Sequence, residues 1–457
     1  MRSLKQPVSP TGRVAVMGYP PLLPVGLKGF APGGDSWMTM QLVEPFPPPI
    51  HEPAHLRLAR WRREVPLYRE LYQAVPDRAE LETKDWLRLP FITRHEMGLN
   101  FPHNFLRDGV ELSILLDRAE VELEHTSGTS GERQPLLLGV GWWGEQEGRA
   151  LQLNRFVADE LGANPTARRA VLASPSCGGG LCNQGQTTAR ERTDETVLLL
   201  STSRQPWLWS EAEWDRIVSE ILEWKPLFLD TDPVYATALA RHCLRRGVRF
   251  PSVRFVLSSY EFVSGFHRAA VTRSLGVPLF NLYGATETGH LLMEDENGIL
   301  RASTETAWLE IVQPDLAGIG ELVVTTMTNE YMPLIRYRIG DLAMRSRMKS
   351  DMAWELHGRV RDSLVSADGN RVTTRQVDEC LTSATGILHY QCVQDAAGNV
   401  MIRYIPGDAV SRPEGLSGAL AGLQGLVGSS GPISARPAEM LLGEASGKFR
   451  LTRRAGD

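Results

Sequence analysis

Residues 277 to 289 read VPLFNLYGATETG, a short apolar run bounded by proline that breaks into a turn of glycine and threonine. Such a run predicts a buried strand ending in a tight turn. Tyr283 presents a flat ring at that turn, Gly284 lets the backbone approach a neighbour closely, and Glu287 offers a hard oxygen ligand suited to magnesium. A strand ending in a capped helix is the plainer reading of the same letters. Two upstream runs, PLFLD (226 to 230) and VRFVLSS (253 to 259), repeat the pattern, and each is followed by a helix-like stretch. Strands that alternate with helices predict an α/β domain built on parallel sheets.

Outward from this centre the texture changes twice. SEAEWDRIVSEILEWK (210 to 225) places Trp214, Ile217, Ile221 and Trp224 on one helical face behind a Ser210 cap. After Ala307, the runs AWLEIV, GELVVTTM and RYRIGDLAMR predict shorter strands separated by turns. From Gly358 a smaller unit follows: a strand and turn in GRVRDSLVSADGNRV, a helix from Thr374, paired strands between Gln391 and Tyr404, a Gly/Ser/Pro-rich linker over 415 to 437, and a closing loop, GEASGKFRLTRR. Towards the amino terminus, Leu58, Trp61 and Val65, then Tyr68, Leu71 and Tyr72, recur at helical spacing on either side of Pro66. WLRLPFITRH (86 to 95) predicts a turn-bounded strand or docking segment, and the glycines and prolines before residue 51 predict an extended lead-in. The expected organisation is an extended leader over 1–50, a multi-subdomain N-terminal domain over 51–357 and a small, mobile α+β C-terminal domain over 358–457.

Composition removes several function classes. Net charge is −5 over 457 residues, which leaves no surface evidently built to neutralise a phosphate backbone, so nucleic acid is not an expected partner. Five cysteines without a CxxC pair suit neither a disulfide framework nor a zinc finger, and they point to a reducing, cytoplasmic setting. Prolines interrupt the early apolar stretch, and no run reaches the roughly 18 apolar residues of a membrane span. Whether the chain is a monomer or a homodimer stays open.

Three further segments bear on chemistry. EHTSGTSGERQP (124 to 135) sets the hydroxyls of Thr126, Ser127, Thr129 and Ser130 among Gly128 and Gly131, a composition that exposes N–H and O–H donors to phosphate oxygens; a plain flexible loop would read the same. It is not a Walker loop, since no lysine follows at the required spacing. In PLIRYRIGDLAMR, Asp341 follows a glycine turn, where a carboxylate can accept two ribose hydroxyls or simply sit solvated in a hairpin. Lys448 lies in a glycine-flanked loop, placed either to meet charge developing on a phosphoryl group or to form part of a basic tail with Arg450, Arg453 and Arg454.

In this order and at these separations, the four segments resemble the acyl-adenylate-forming superfamily of acyl-CoA synthetases, luciferases and peptide-synthetase adenylation domains. Within it, LARWRREVPLYRELY (58 to 72) and LPFITRHEM (89 to 97) are similar to the amino-terminal helices of the phenylacetate-CoA ligase branch. The resemblance implies ATP-dependent, magnesium-assisted activation of a small carboxylic acid to an acyl-adenylate, followed by transfer to coenzyme A. The alternatives are delivery to a carrier protein or other acceptor, and a non-catalytic nucleotide-binding scaffold. It further implies that Thr126 to Gly131 hold phosphate, that Ser259, Tyr260 and Glu261 line the adenine together with Tyr283, Gly284, Ala285 and Thr286, and that Asp341 binds ribose. Arg359 would contact the nucleotide, Arg361 would mark the hinge, Glu287 would hold magnesium, and Lys448 would serve adenylation alone. By position, Ser176, Cys177, Gly178, Gly179 and Cys182, joined by Gly289 and His290, would face the acyl group. Small residues where the branch carries bulky aromatics imply a larger or more polar aryl acid, while Trp142 and Trp143 read better as core packing.

The chain departs from the branch pattern at three places. Glu132 and Arg133 precede Gln134 and Pro135 after the phosphate loop. Arg361 stands where a hinge aspartate is common, with Asp362 next, so the hinge is expected to turn with altered partners. HLLMEDENG contains no cysteine, so no zinc is expected.

Overall fold

The structure, a computed structural model, describes residues 54–74, 83–126, 133–175, 188–348, 351–408, 413–428 and 433–456. The leader over 1–50, five of the six phosphate-loop residues (Ser127, Gly128, Thr129, Ser130, Gly131) and the candidate acyl residues Ser176, Cys177, Gly178, Gly179 and Cys182 lie outside the described residues.

The apolar runs form the parallel half of one large sheet. Its strands are Arg169–Leu172 (β1), Val197–Leu199 (β2), Phe228–Thr231 (β3), Phe255–Ser258 (β4) and Leu279–Ala285 (β5), in spatial order β2-β1-β3-β4-β5 with an antiparallel edge strand outside β2. At Gly284 the chain doubles back into Gly289–Glu294 (β6), and from there every pairing is antiparallel. Leu300–Ala302 (β7), Ala307–Val312 (β8), Gly320–Thr326 (β9), Tyr337–Met348 (β10) and Asp351–Arg359 (β11) complete the order β5-β6-β7-β11-β10-β9-β8. A Cβ on Gly284 would lie 2.2 Å from the Gly289 carbonyl oxygen, so only glycine fits this reversal.

Helices cover the parallel half for local reasons. Ser210 accepts a hydrogen bond from the Glu213 amide and opens the helix Glu211–Trp224 (α1), which buries Trp214, Ile217 and Ile221. Asp232 caps Pro233–Arg246 (α2) through the Val234 and Tyr235 amides. Ser264 caps Gly265–Leu275 (α3) through Phe266. Burial of each aliphatic side chain in these faces contributes about 1.5–3 kcal/mol. The amino-terminal segment docks on the antiparallel half, where the buried Arg336 guanidinium donates to the Trp86, Leu87 and Leu89 carbonyls and Ile92 bridges Tyr337.

The smaller carboxy-terminal unit has its own sheet and core. Thr373, in a reciprocal capping box with Gln376, starts Thr374–Leu381 (α4). Ile387–Gln394 (β12) and Val400–Pro406 (β13) pair antiparallel. Two parts of the segment expected to be a linker over 415 to 437 are regular elements instead: Leu416–Val427 is a helix (α5) that buries Leu416, Ala419, Leu423 and Val427, and Ser434–Pro437 (β14) pairs with β13. Gly418, Gly422 and Gly425 are spread along the helix around a buried stripe at helical spacing, so composition masked a 3.6-residue period. The closing strand Thr452–Arg454 (β15) runs parallel to β12.

This unit is fastened to the large one by contacts at three elements. The Asp378 carboxylate accepts from the Ser264 hydroxyl and from the Gly265 amide at 2.9 Å, adding a second cap to α3. Asp408 takes Arg241 and Arg245 from α2. His267 on α3 meets His389 on β12, ring nitrogen to ring nitrogen, at 3.0 Å. No described helix is long and apolar enough to cross a membrane.

Candidate active site

Strands β4 and β5 lie side by side, and residues at and just past their carboxyl ends form one wall of a cleft, where open α/β sheets place their ligands. Ser259, Tyr260, Glu261, Phe262, Tyr283 and Gly284 come from these ends. The facing wall comes from β11 and the small unit, through Arg359, Arg361, Asp362, Glu444, Lys448 and Arg450. The space between is about 900 Å³, solvent at the mouth included.

On the floor, the Tyr283 hydroxyl donates to Asp341 at 2.7 Å, and Arg359 lies 3.4 Å from the other Asp341 oxygen. Asp341 is only 9% exposed in mid-strand, so it is not a solvated hairpin aspartate. Burial, reinforced by the neighbouring Asp341 carboxylate, holds the Tyr283 phenol well above its ordinary range. The Ser259 hydroxyl donates to Asp230 at 2.7 Å and the Tyr260 hydroxyl at 3.3 Å, so these two present their remaining surface to the cleft.

Glu287 is buried on the turn after Ala285 and Thr286, and accepts the Tyr337 hydroxyl at 2.9 Å. Among the described residues no group of three His, Cys, Asp or Glu side chains is placed to hold a metal. A single carboxylate fits magnesium, which keeps most of its shell for water and phosphate oxygens. Arg94 donates to the Thr126 hydroxyl at 2.7 Å, and the Gln134 amide donates to the same oxygen at 3.1 Å, fixing both ends of the phosphate-loop segment.

Lys448 closes the cleft beside the buried Asp232 and the half-buried Glu261 carboxyls. The Glu261 carboxylate accepts the Phe449 amide at 2.7 Å. Burial pushes the Asp232 carboxyl up to about 6 and Glu261 well above its ordinary value, against the pull of the Lys448 ammonium on both. Where the hinge is expected, Val360–Asp362 forms one turn of 3₁₀ helix. Asp362 accepts Arg450 at 2.7 Å, Arg361 lies 3.5 Å from Asp362 and 3.8 Å from Glu444, and burial lowers the Arg361 guanidinium. Arg450 is therefore a partner of the Arg361–Asp362 segment that reading the sequence as a tail missed, and the Asp362 that follows Arg361 was its signal.

The two described residues expected at the acyl group are both buried. Gly289, with φ +71°, packs on Trp142 and Gln146, where a Cβ would meet both at about 3.1 Å. His290 is buried with its ring 4.8 Å from Trp143, and neither ring nitrogen has a hydrogen-bond partner among the described residues. Burial pushes it down to about 4 and keeps it neutral. Neither residue lines the cleft. Trp142 is core, as expected, its indole donating to Thr328 at 3.0 Å.

No family model matches the chain. It is 26% identical over 362 residues to a phenylacetate-coenzyme A ligase of Thermus thermophilus, covering 74% of this chain and 75% of that protein. A phenylacetate-coenzyme A ligase of Aromatoleum evansii is 24% identical over 346 residues, covering 69% and 71%. Among solved structures, 2-hydroxyisobutyryl-CoA ligase in the postadenylation state with 2-HIB-AMP superposes with a TM-score of 0.64 at 16% identity, covering 88% of this chain and 89% of that one. In its thioesterification state with 2-HIB-AMP and CoA, the score is 0.51 at 15% identity over the same shares.

Proposed function

We propose, from the premise that this chain is a phenylacetate-CoA ligase-like member of the acyl-adenylate-forming superfamily, that it activates a small aryl carboxylic acid with ATP and passes the acyl group to coenzyme A. The observation that carries the reading is the position of Lys448, which closes a cleft whose floor holds the Tyr283–Asp341–Arg359 chain. Tyr283 stacks the adenine, Asp341 accepts the ribose hydroxyls, and Arg359 holds Asp341 in place. Thr126 and the residues after it bind phosphate, with Arg94 anchoring that segment. Magnesium, held by Glu287 and phosphate oxygens, would neutralise charge on the triphosphate.

In the first half-reaction, a carboxylate oxygen of the acid attacks the α-phosphorus, the bond to the bridging oxygen breaks, and pyrophosphate leaves with that electron pair. Lys448 stabilises the charge that builds between the carboxylate and α-phosphate. In the second, the small unit turns about Arg361–Asp362, and a deprotonated thiol attacks the acyl carbonyl and displaces AMP. The better superposition on the postadenylation relative supports assigning the present arrangement to the first half-reaction. We place the protein in the cytoplasm, where Cys243, Cys380 and Cys392 stay as thiols.

ATP–pyrophosphate exchange with phenylacetate, substituted benzoates, fused-ring and aliphatic acids tests the reading, with coenzyme A added to each positive. Exchange followed by a thioester supports it. Exchange without a thioester moves the acceptor to a carrier protein, and no exchange despite ATP binding points to a scaffold.

A further inference from the structure

We propose that Gln205, Ser174 and Glu261 of the large unit are positioning residues that seat the Lys448 loop for adenylation and take no part in thioester formation. The inference rests on the adenylating role proposed for Lys448.

The loop Gly443–Phe449 is gripped along its main chain. The Gln205 amide meets Gly443 at two points, donating to its carbonyl at 3.1 Å and accepting from its N–H at 2.7 Å, as a strand partner would. Ser174, just past β1, donates to the Ser446 carbonyl at 2.8 Å, and Arg204 reaches the Ala445 carbonyl. Glu261, just past β4, takes the Phe449 amide. Inside the loop, the Glu444 amide bonds to the Lys448 carbonyl at 2.7 Å and the Gly447 amide to the Glu444 carbonyl at 2.8 Å, so the grip at the ends is transmitted to Lys448.

Two backbone features agree with a built seat. Gln205 holds φ +68° and ψ +70°, a left-handed conformation costly for a residue with a Cβ. Gly447 has φ +83°, and a Cβ there would sit 2.1 Å from the Ser174 hydroxyl, so the loop approaches Ser174 as closely as bare backbone allows. Each of these contacts joins the large unit to the loop, so each favours the arrangement in which it exists and is absent once the small unit has turned. A lysine that must meet transition-state charge loses much of its effect when misplaced by about 1 Å.

Gln205→Gly removes the grip and at the same time relieves the left-handed strain, so folding is not the weak point. With phenylacetate, or another acid of the panel that supports exchange in the unmodified protein, kcat for ATP–pyrophosphate exchange is expected to fall about tenfold or more. Thioester formation from preformed acyl-adenylate is expected to stay within about twofold, as is the KM for ATP. Ser174→Ala shifts the same half-reaction more mildly, and Gln205→Glu, which keeps the acceptor for Gly443, falls between. Full exchange in Gln205→Gly and Ser174→Ala while Lys448→Ala has lost it overturns the seat and leaves the proposed function standing. Equal losses in both half-reactions with a lower melting temperature overturn it as well, because they mark a structural role. Absence of exchange in the unmodified protein with every acid removes the functional reading, and this inference with it.

Discussion

On the proposed reading Lys448 is the side chain on which the chemistry turns, and its loss is expected to separate the half-reactions. Lys448→Ala is expected to lower ATP–pyrophosphate exchange by about a hundredfold or more, since it removes charge stabilisation made mainly in the transition state. ATP affinity, read by equilibrium dialysis, stays nearly unchanged; a matching loss of affinity would reassign the lysine to ground-state binding. Asp341→Asn keeps the shape of the cleft but weakens acceptance from ribose and the tie to Arg359, so the KM for ATP should rise about tenfold. An unchanged KM would place the ribose elsewhere. Tyr283, Asp341, Arg359 and Lys448 were legible in the sequence because each sits in a short segment whose local turn or strand sets its position. Gln205 and Ser174 were not, because they act through hydrogen bonds to main-chain atoms 238 and 272 residues away, and a main-chain partner leaves no mark on residue type. The packing partners of Gly289 and His290, expected at the acyl group, were illegible for a related reason. Adjacency to YGATE in sequence became, after the reversal at Gly284, a position packed against Trp142 and Trp143.

Among the elements, α3 and α4 meet end to side, with Asp378 of α4 capping α3. A Cβ on Gly265 would lie 3.5 Å from the Thr382 Cβ, within the separation that a disulfide spans. Gly265→Cys with Thr382→Cys, in a Cys380→Ser background, is therefore expected to form a bond under mild oxidation that freezes the small unit in place. Adenylate formation should survive and thioester formation should stop, with dithiothreitol restoring it. Thioester formation by the oxidised protein at the normal rate would rule out rotation of this unit. The strands β3, β4 and β5 and the helix α1 were legible because buried runs and a capped amphipathic face are local signals. The helix α5 was hidden by its glycines, although Leu416, Ala419, Leu423 and Val427 kept the helical interval.

Across the whole molecule, the placement of the small unit is expected to depend on acidity. Burial pushes His267 down to about 3, and burial together with His267 holds His389 well below its usual value, while the Trp207 and Phe449 rings flank His389. Both folded values lie below that of a free histidine near 6.5, so the undocked or unfolded form takes up protons first. The docking contribution of the pair is complete above about pH 6.5 and is lost as pH falls towards 3. Asp378, raised by burial, contributes in the opposite sense, and Asp408, held at about 2 despite partial burial by Arg245 and Arg241, stays charged throughout that window. Limited proteolysis at pH 7 and pH 5 should show faster cutting between the two units at pH 5, and His389→Asn should flatten that dependence. Identical profiles in the two proteins would remove the histidine pair as its source. The two-sided cleft also sets how long a tight ligand stays. A compound that touches Tyr283 on one wall and Arg450 on the other is enclosed by both bodies at once, so its residence time follows the opening rate of the protein rather than the strength of its own contacts. Two inhibitors of equal affinity could then differ widely in duration of action, according to whether they reach across the seam.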